Sequence, residues 1–154
     1  YDYFFHTYKD PFLHQNSSAF YVGPLMVDEM RKAVACLPKY DNYRSFCKSP
    51  DKNEHTLCRV SAAALFANDK GDRFRFHISS NRFLGGMIRA IMARLLQVGK
   101  GELTVDQFEA LLSHPQTPVN IKLAAPAGLF LSKVTYPFLD LPPRTDIIAN
   151  EWHL

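Results

Sequence analysis

The chain has 154 residues, the size of one ordinary domain, and its 47% hydrophobic and 21% charged residues support a packed core and exclude a disordered chain. A net charge of +3 and a pI of about 8.8 suit a polyanionic partner without singling one out. No apolar run reaches the roughly 18 residues of a membrane span; the longest, Phe83 to Val98, is interrupted by Arg89 and Arg94, so no membrane association is expected.

The chain opens on Tyr1 rather than Met, with no signal peptide in view, and reads as a fragment. Tyr1 to Tyr8 is aromatic-rich and β-prone, ended by Asp10-Pro11. Ser18 to Val22 predicts a second short strand, closed by Gly23-Pro24. Met30, Ala33, Val34 and Leu37 then keep the spacing of an amphipathic helix, with Asp28 as its expected cap and Pro38 as its stop. Lys39 to Glu54 is polar and loop-like, anchored by Phe46.

Cys58 to Phe66 and Asp72 to Ser79 predict a hairpin around Asn68-Asp69-Lys70-Gly71, a run rich in turn formers. In its second strand Phe74, Phe76 and Ile78 alternate with Arg73, Arg75 and His77, so one face is apolar and the other basic. That basic face is either a half-solvated surface or one that lies near RNA. Phe83 to Val98 predicts the longest helix, striped by Leu84, Ile88, Ile91 and Leu95 and widened by Met87 and Met92. Gly85 and Gly86 fall in its first turns, where each costs about 1 kcal/mol against Ala; they mark either close backbone approach or a frayed start.

Gly99-Lys100-Gly101 ends that helix. Thr104-Val105-Asp106-Gln107 matches a capping box and starts another, with Phe108, Leu111 and Leu112 inward and Pro115 beyond its end. Gln116 to Pro126 is irregular, Gly128 to Tyr136 predicts a last strand, and a proline-containing tail follows. Hairpin-linked strands mixed with helices predict an α+β domain, an antiparallel sheet with helices packed on it.

Generic catalytic signatures are missing: no GxSxG, phosphate-binding loop, HExxH or glycine-rich dinucleotide fingerprint. Cys36, Cys47 and Cys58 form no CxxC pair, and no two of the six histidines stand at metal-binding spacing. Three reduced cysteines and no metal are expected, which points to a cytoplasmic protein. Asp106 and Glu109, three apart on a helix, suit a solvated face.

Four segments share the order of a known family. Asn81-Arg82-Phe83-Leu84-Gly85-Gly86-Met87-Ile88-Arg89, with Leu95-Leu96-Gln97-Val98-Gly99 after it, resembles the hallmark helix of tRNA pseudouridine synthases of the TruA family. Tyr43-Arg44-Ser45-Phe46-Cys47-Lys48 is similar to that family's SF segment, and Gly128-Leu129-Phe130-Leu131 through Tyr136-Pro137 to its GLYL and YP strand. Tyr1-Asp2-Tyr3 is similar to its Tyr-x-Tyr entry to the strand joining its two halves. The resemblance runs from Tyr1 to Pro137. It implies that residues 1–137 are the C-terminal, catalysis-supporting domain of such an enzyme and that 138–154 are a tail. Gly85 and Gly86 depart from the family's larger, often basic residues, and Arg94 from a small one.

From the residues alone, Arg89 in an otherwise apolar helix either reaches solvent, pairs with a local carboxylate, or meets an anionic partner. Arg82, seven residues earlier, falls on nearly the same helical face. The resemblance implies that Arg89 pairs with the catalytic aspartate, that Tyr1 is the active-site tyrosine and that Leu129 lines the uridine pocket. Arg44, Lys48, Asn81 and Arg82 become the expected RNA contacts. The implied reaction isomerises uridine in the anticodon arm of tRNA and uses no cofactor. An aspartate attacks a flipped-out uridine, the glycosidic bond breaks, and the base turns and rejoins through carbon. That aspartate belongs to an Arg-Thr-Asp motif of the N-terminal half, so the partners implied are tRNA, that half and, as a homodimer, a second copy. Arg144-Thr145-Asp146 repeats the letters in the tail and is read as coincidence.

Overall fold

A computed structural model describes residues 1–139, and the Arg144-Thr145-Asp146 motif and most of the 138–154 tail lie outside the described residues. The fold is α+β, a mainly antiparallel sheet accompanied by packed helices, as the hairpin-linked strands predict. The described residues form two compact units. One comprises Tyr1–Tyr21, Leu65–His77 and the described residues from Pro126 onward; the other comprises Val22–Ala64 and Ile78–Ala125.

The first unit is built around β1 (Asp2–His6). Along one edge β1 pairs antiparallel with β4 (Arg73–Ser80), from Asp2 opposite His77 to His6 opposite Arg73. Its other edge is shared. Asp2 and Tyr3 pair antiparallel with β5 (Leu129–Phe130), while Phe5 and His6 pair in parallel with β2 (Ser18–Ala19), so the sheet is mixed. Strand alternation gives β1 two faces. Tyr3 and Phe5 join Phe74 and Phe76 in the core, all at most 1% exposed, with Phe5 and Phe74 stacked at 4.7 Å. Asp2, Phe4 and His6 take the opposite face.

Two expected lengths are corrected by the extent of β1. β5 stops at Phe130, not Tyr136, because it runs antiparallel to β1 and its next residues would pass beyond Asp2, where β1 begins. β2 stops at Ala19, not Val22, because β1 itself ends at His6. The close approach of β5 also explains Gly128. A Cβ there would sit 2.0 Å from the Phe4 carbonyl oxygen, and the bare backbone instead donates its N–H to Ser18 Oγ at 3.0 Å. Tyr3 donates its hydroxyl to the same oxygen at 2.9 Å, so the buried Ser18 ties β1, β2 and the approach to β5 together.

The hairpin of β3 (Val60–Ala67) and β4 belongs to both units, with its turn in the first. Asn68 closes that turn by accepting from the Asp72 and Arg73 amides.

The second unit packs three helices. α1 (Val27–Cys36) buries Met30, Ala33 and Val34, and Leu37 is buried just past it, as the spacing predicts. Asp28 is not its cap: Met26 holds that position without a side-chain bond, and Asp28 lies in the first turn, where its charge favours the positive helix end. α2 (Met87–Gly99) begins four residues later than predicted, because Gly86 has φ +74°, a left-handed conformation no α-helix contains. Gly85 and Gly86 therefore precede the helix and cost it nothing, and the seven-residue spacing of Arg82 and Arg89 does not put them on one helical face. A Cβ on Gly99 would fall 2.6 Å from Met30 Sδ, so α1 packs hard on the last turn of α2.

α3 (Val105–Ser113) starts at the predicted capping box, with Gln107 N donating to Thr104 Oγ1 at 3.1 Å and Thr104 N to Gln107 Oε1 at 3.0 Å. Phe108 and Leu112 are buried, whereas Leu111 is only half-buried. Phe46 anchors the 39–54 loop as predicted, its ring 5.8 Å from Phe108, and two short 3-10 turns order the polar stretch around it. Among the described residues no helix is long and apolar enough to cross a membrane.

Candidate functional site

Each expected site residue can be followed from its element to its partners, and the two units hold different members of the set. Arg89 is in the second unit, the third residue of α2 rather than a mid-helix position. Two hydrogen bonds fix it to one residue of the 116–126 connection. Arg89 Nε donates to the Ala124 carbonyl at 2.6 Å, and the Ala124 amide donates to the Arg89 carbonyl at 2.9 Å. Ala124 is 5% exposed and Arg89 is half-buried. Among the described residues no carboxylate lies within ion-pair distance of Arg89, and neither Nη atom has a partner.

The second unit also holds the four expected RNA contacts. Asn81 exchanges two bonds with Arg59: its N–H donates to the Arg59 carbonyl at 3.2 Å and its Oδ1 accepts from the Arg59 amide at 2.7 Å. Arg82 Nη1 meets His55 at the carbonyl, 3.2 Å away, and at Nδ1, 2.9 Å away. Arg44 is spanned by the Thr117 hydroxyl, 2.8 Å from Nε, and the Asp51 carboxylate at Nη2. Lys48 differs: its backbone donates to the Gly85 carbonyl at 2.9 Å, while its exposed ammonium has no partner among the described residues.

Tyr1 and Leu129 lie in the first unit, at the same end of β1. Leu129 pairs with Tyr3 across the ladder, and Tyr1 directly precedes the strand. Leu129 is half-buried, as is Tyr1.

Sequence reasoning missed a strongly perturbed group, Asp2. Its side chain is fully buried on the face of β1 opposite Tyr3. Oδ1 accepts from Arg75 Nε at 2.6 Å and lies 3.0 Å from His77 Nδ1. Burial alone would raise the Asp2 pKa, but the bonds from His77 and Arg75 and the Arg75 charge outweigh it and hold the carboxyl well below its usual range. The Ser132 hydroxyl is near enough to help lower it, although among the described residues neither it nor Asp2 Oδ2 has a partner in hydrogen-bond geometry.

The basic alternation of β4 is half-buried, as a half-solvated face should be, and its side chains find partners within the first unit. Arg75 has 14% of its side chain exposed, packs over the Phe66 ring and serves Asp2, and Arg73 binds the Tyr8 hydroxyl at 2.6 Å and Asp10 at 3.6 Å. The sequence held part of the signal, since an aspartate inside an aromatic strand requires a partner, but nothing local to it names Arg75 or His77.

Glu109 is also engaged, accepting from the Tyr40 hydroxyl at 3.0 Å. Among the described residues no group of three His, Cys, Asp or Glu side chains is placed to hold a metal ion.

The fold is α+β, and its longest helix among the described residues carries near its start an arginine whose Nη atoms have no partner there. The model of the tRNA pseudouridine synthase family matches residues 40–137, and the chain belongs to that family. It is 32% identical over 138 residues to tRNA pseudouridine synthase A of Porphyromonas gingivalis, covering 89% of this chain and 54% of that protein. The same-named proteins of Bacteroides fragilis, 33% identical over 89% of this chain and 54% of the relative, and of Bordetella avium, 32% identical over 88% and 50%, are similar. The chain spans about half the length of the curated relatives it matches.

Proposed function

We propose that residues 1–137 form the C-terminal domain of a TruA-type tRNA pseudouridine synthase, followed by a tail, and that the intact protein converts uridine to pseudouridine in the anticodon arm of tRNA. The observation that carries this reading is Arg89: a guanidinium held by Nε on a backbone carbonyl, its Nη donors unpartnered among the described residues. A carboxylate is the complementary group for two parallel N–H donors.

In this reading the carboxylate is the nucleophilic aspartate of the N-terminal half, kept ionised and oriented by Arg89. The reaction is an isomerisation in which the bond from ribose to N1 of the base breaks, a bond to C5 forms, and the C5 proton is removed. Nothing is added or lost overall, so the protein has only to flip the base, exclude water and place charge. Tyr1 contacts the turning base and Leu129 walls the pocket. Lys48 supplies a phosphate contact, joined by Arg44, Arg82 and Asn81 where RNA competes for the bonds they make within the second unit. The protein acts in the cytoplasm, as a homodimer and without a cofactor.

The test is pseudouridine formation on unmodified tRNA by this chain and by the full-length protein, side by side. Activity confined to the longer protein, abolished by Arg89→Ala, is expected. Activity in the chain alone would refute the split site and move attention to Asp146. Binding of tRNA by both without conversion would favour a non-catalytic RNA-binding module on the same scaffold.

A further inference from the structure

We infer that Ala124 is a positioning residue, its backbone restricting Arg89 to an end-on grip of its anion. A guanidinium can hold a carboxylate side-on, through Nε and one Nη, or end-on, through Nη1 and Nη2. With Nε at 2.6 Å from the Ala124 carbonyl oxygen, the side-on fork is occupied. The end-on fork is the one left.

The clamp is two-sided, because the Ala124 amide returns a bond to the Arg89 carbonyl, and Ala124 is itself buried. The residue before it is also seated. Leu123 packs over Gly86, whose added Cβ would fall 3.3 Å from Leu123 Cδ2 and 3.5 Å from Lys48 Cβ, and the Lys48 amide binds the Gly85 carbonyl. The SF segment, the turn before α2 and the 116–126 connection therefore meet around the base of Arg89. A connection with little regular structure thereby turns a flexible cation into an oriented pair of donors before any anion arrives.

The inference rests on the reading of Arg89 as the carboxylate holder, and the experiment separates the two. In the full-length protein Ala125 is replaced by its α-hydroxy analogue, lactic acid, which turns the Ala124–Ala125 amide into an ester, weakens the Ala124 carbonyl as an acceptor and removes the Ala125 N–H, so the melting temperature is read beside kcat. The same change at Lys122, whose amide makes no hydrogen bond among the described residues, is the control. The Ala125 ester is expected to lower kcat on unmodified tRNA about tenfold at unchanged KM. It should also move the Arg89 Nε–H resonance upfield and speed its exchange, while the Lys122 ester does neither. Arg89→Lys, which keeps one charge but cannot serve both partners, should lose more kcat than the ester. If Arg89→Ala is inactive but the Ala125 ester keeps full kcat and an unmoved Nε–H signal, Ala124 does not position Arg89. A matching loss of melting temperature and a raised KM would assign the bond to folding and overturn the inference equally. Full activity in Arg89→Ala would instead remove the reading on which it rests.

Discussion

Replacing Asp2 by Ala tests the buried cluster most directly. Its carboxylate is fully buried, and its removal leaves Arg75, at 14% side-chain exposure, and His77, at 29%, without their anion. Breaking a buried pair on one side costs about 3–5 kcal/mol; Arg75 retains some access to water, which argues for the lower figure of about 3 kcal/mol. Asp2→Asn keeps the shape and an acceptor for Arg75 but not the charge, and should cost less, about 1–2 kcal/mol. The pH dependence identifies the cause. Because the folded-state pKa of Asp2 lies below that of an unfolded aspartate, about 3.9, its stabilisation is fully present above that value. It is lost as pH falls from there toward the folded-state value. Urea unfolding of the full-length protein and both variants between pH 7 and pH 3 gives each number. The wild type should lose stability on acidification more steeply than Asp2→Asn, with the two curves converging at low pH. Equal slopes, or a cost below about 1 kcal/mol for Asp2→Ala, would show that the cluster does not stabilise the strand and that the buried-pair reasoning is wrong.

Gly128→Ala should cost about 3 kcal/mol, because the new Cβ meets a backbone carbonyl at 2.0 Å that cannot swing aside, and the Ser18 bond is lost with it; thermal melting checks this, and an unchanged melting temperature would contradict the β1–β5 packing. Gly86→Ala should cost about 1–2 kcal/mol for a left-handed backbone, whereas Gly85→Ala, with nothing within 4 Å of its Cβ, should be nearly neutral. Parallel denaturation of the two variants checks the difference, and equal costs would contradict it. Thr104→Ala should remove about 1 kcal/mol by opening the capping box of α3, measured by urea unfolding.

The elements whose signals are local were legible. The capping box at Thr104, the hairpin turn at 68–71 and the buried stripe of α2 are set by neighbours within a few residues, and each stands where the pattern puts it. What failed was set at long range. The lengths of β2 and β5 depend on where β1 ends and begins, at His6 and Asp2, which neither segment encodes alone. The start of α2 turned on Gly86, where a glycine's conformation could not be told from its composition. Among the candidate residues, the identities of Arg89, Tyr1 and Leu129 came from a resemblance. The Asp2 cluster joins residues 73 and 75 positions apart, a distance over which no periodicity operates.

Two arginines show why partners, rather than sequence context, separate structure from function. Arg75 and Arg89 both sit among apolar neighbours, and the sequence offered similar grounds for giving either an external anion. Arg75 has a buried carboxylate at 2.6 Å and a phenyl ring beneath it, so its charge is compensated at home and its removal should be felt as stability. Among the described residues Arg89 receives one backbone carbonyl, which orients a guanidinium but carries only a partial charge against it. A half-buried cation so tightly oriented and so weakly neutralised gains most when an anion arrives. Substituting Arg89 should therefore be felt in turnover, by about a hundredfold or more, with much less change in melting temperature than Asp2→Ala brings. Measuring both quantities on both variants decides it: stability loss at Arg89 as large as at Asp2, with turnover preserved, would mean that the orientation serves the fold alone.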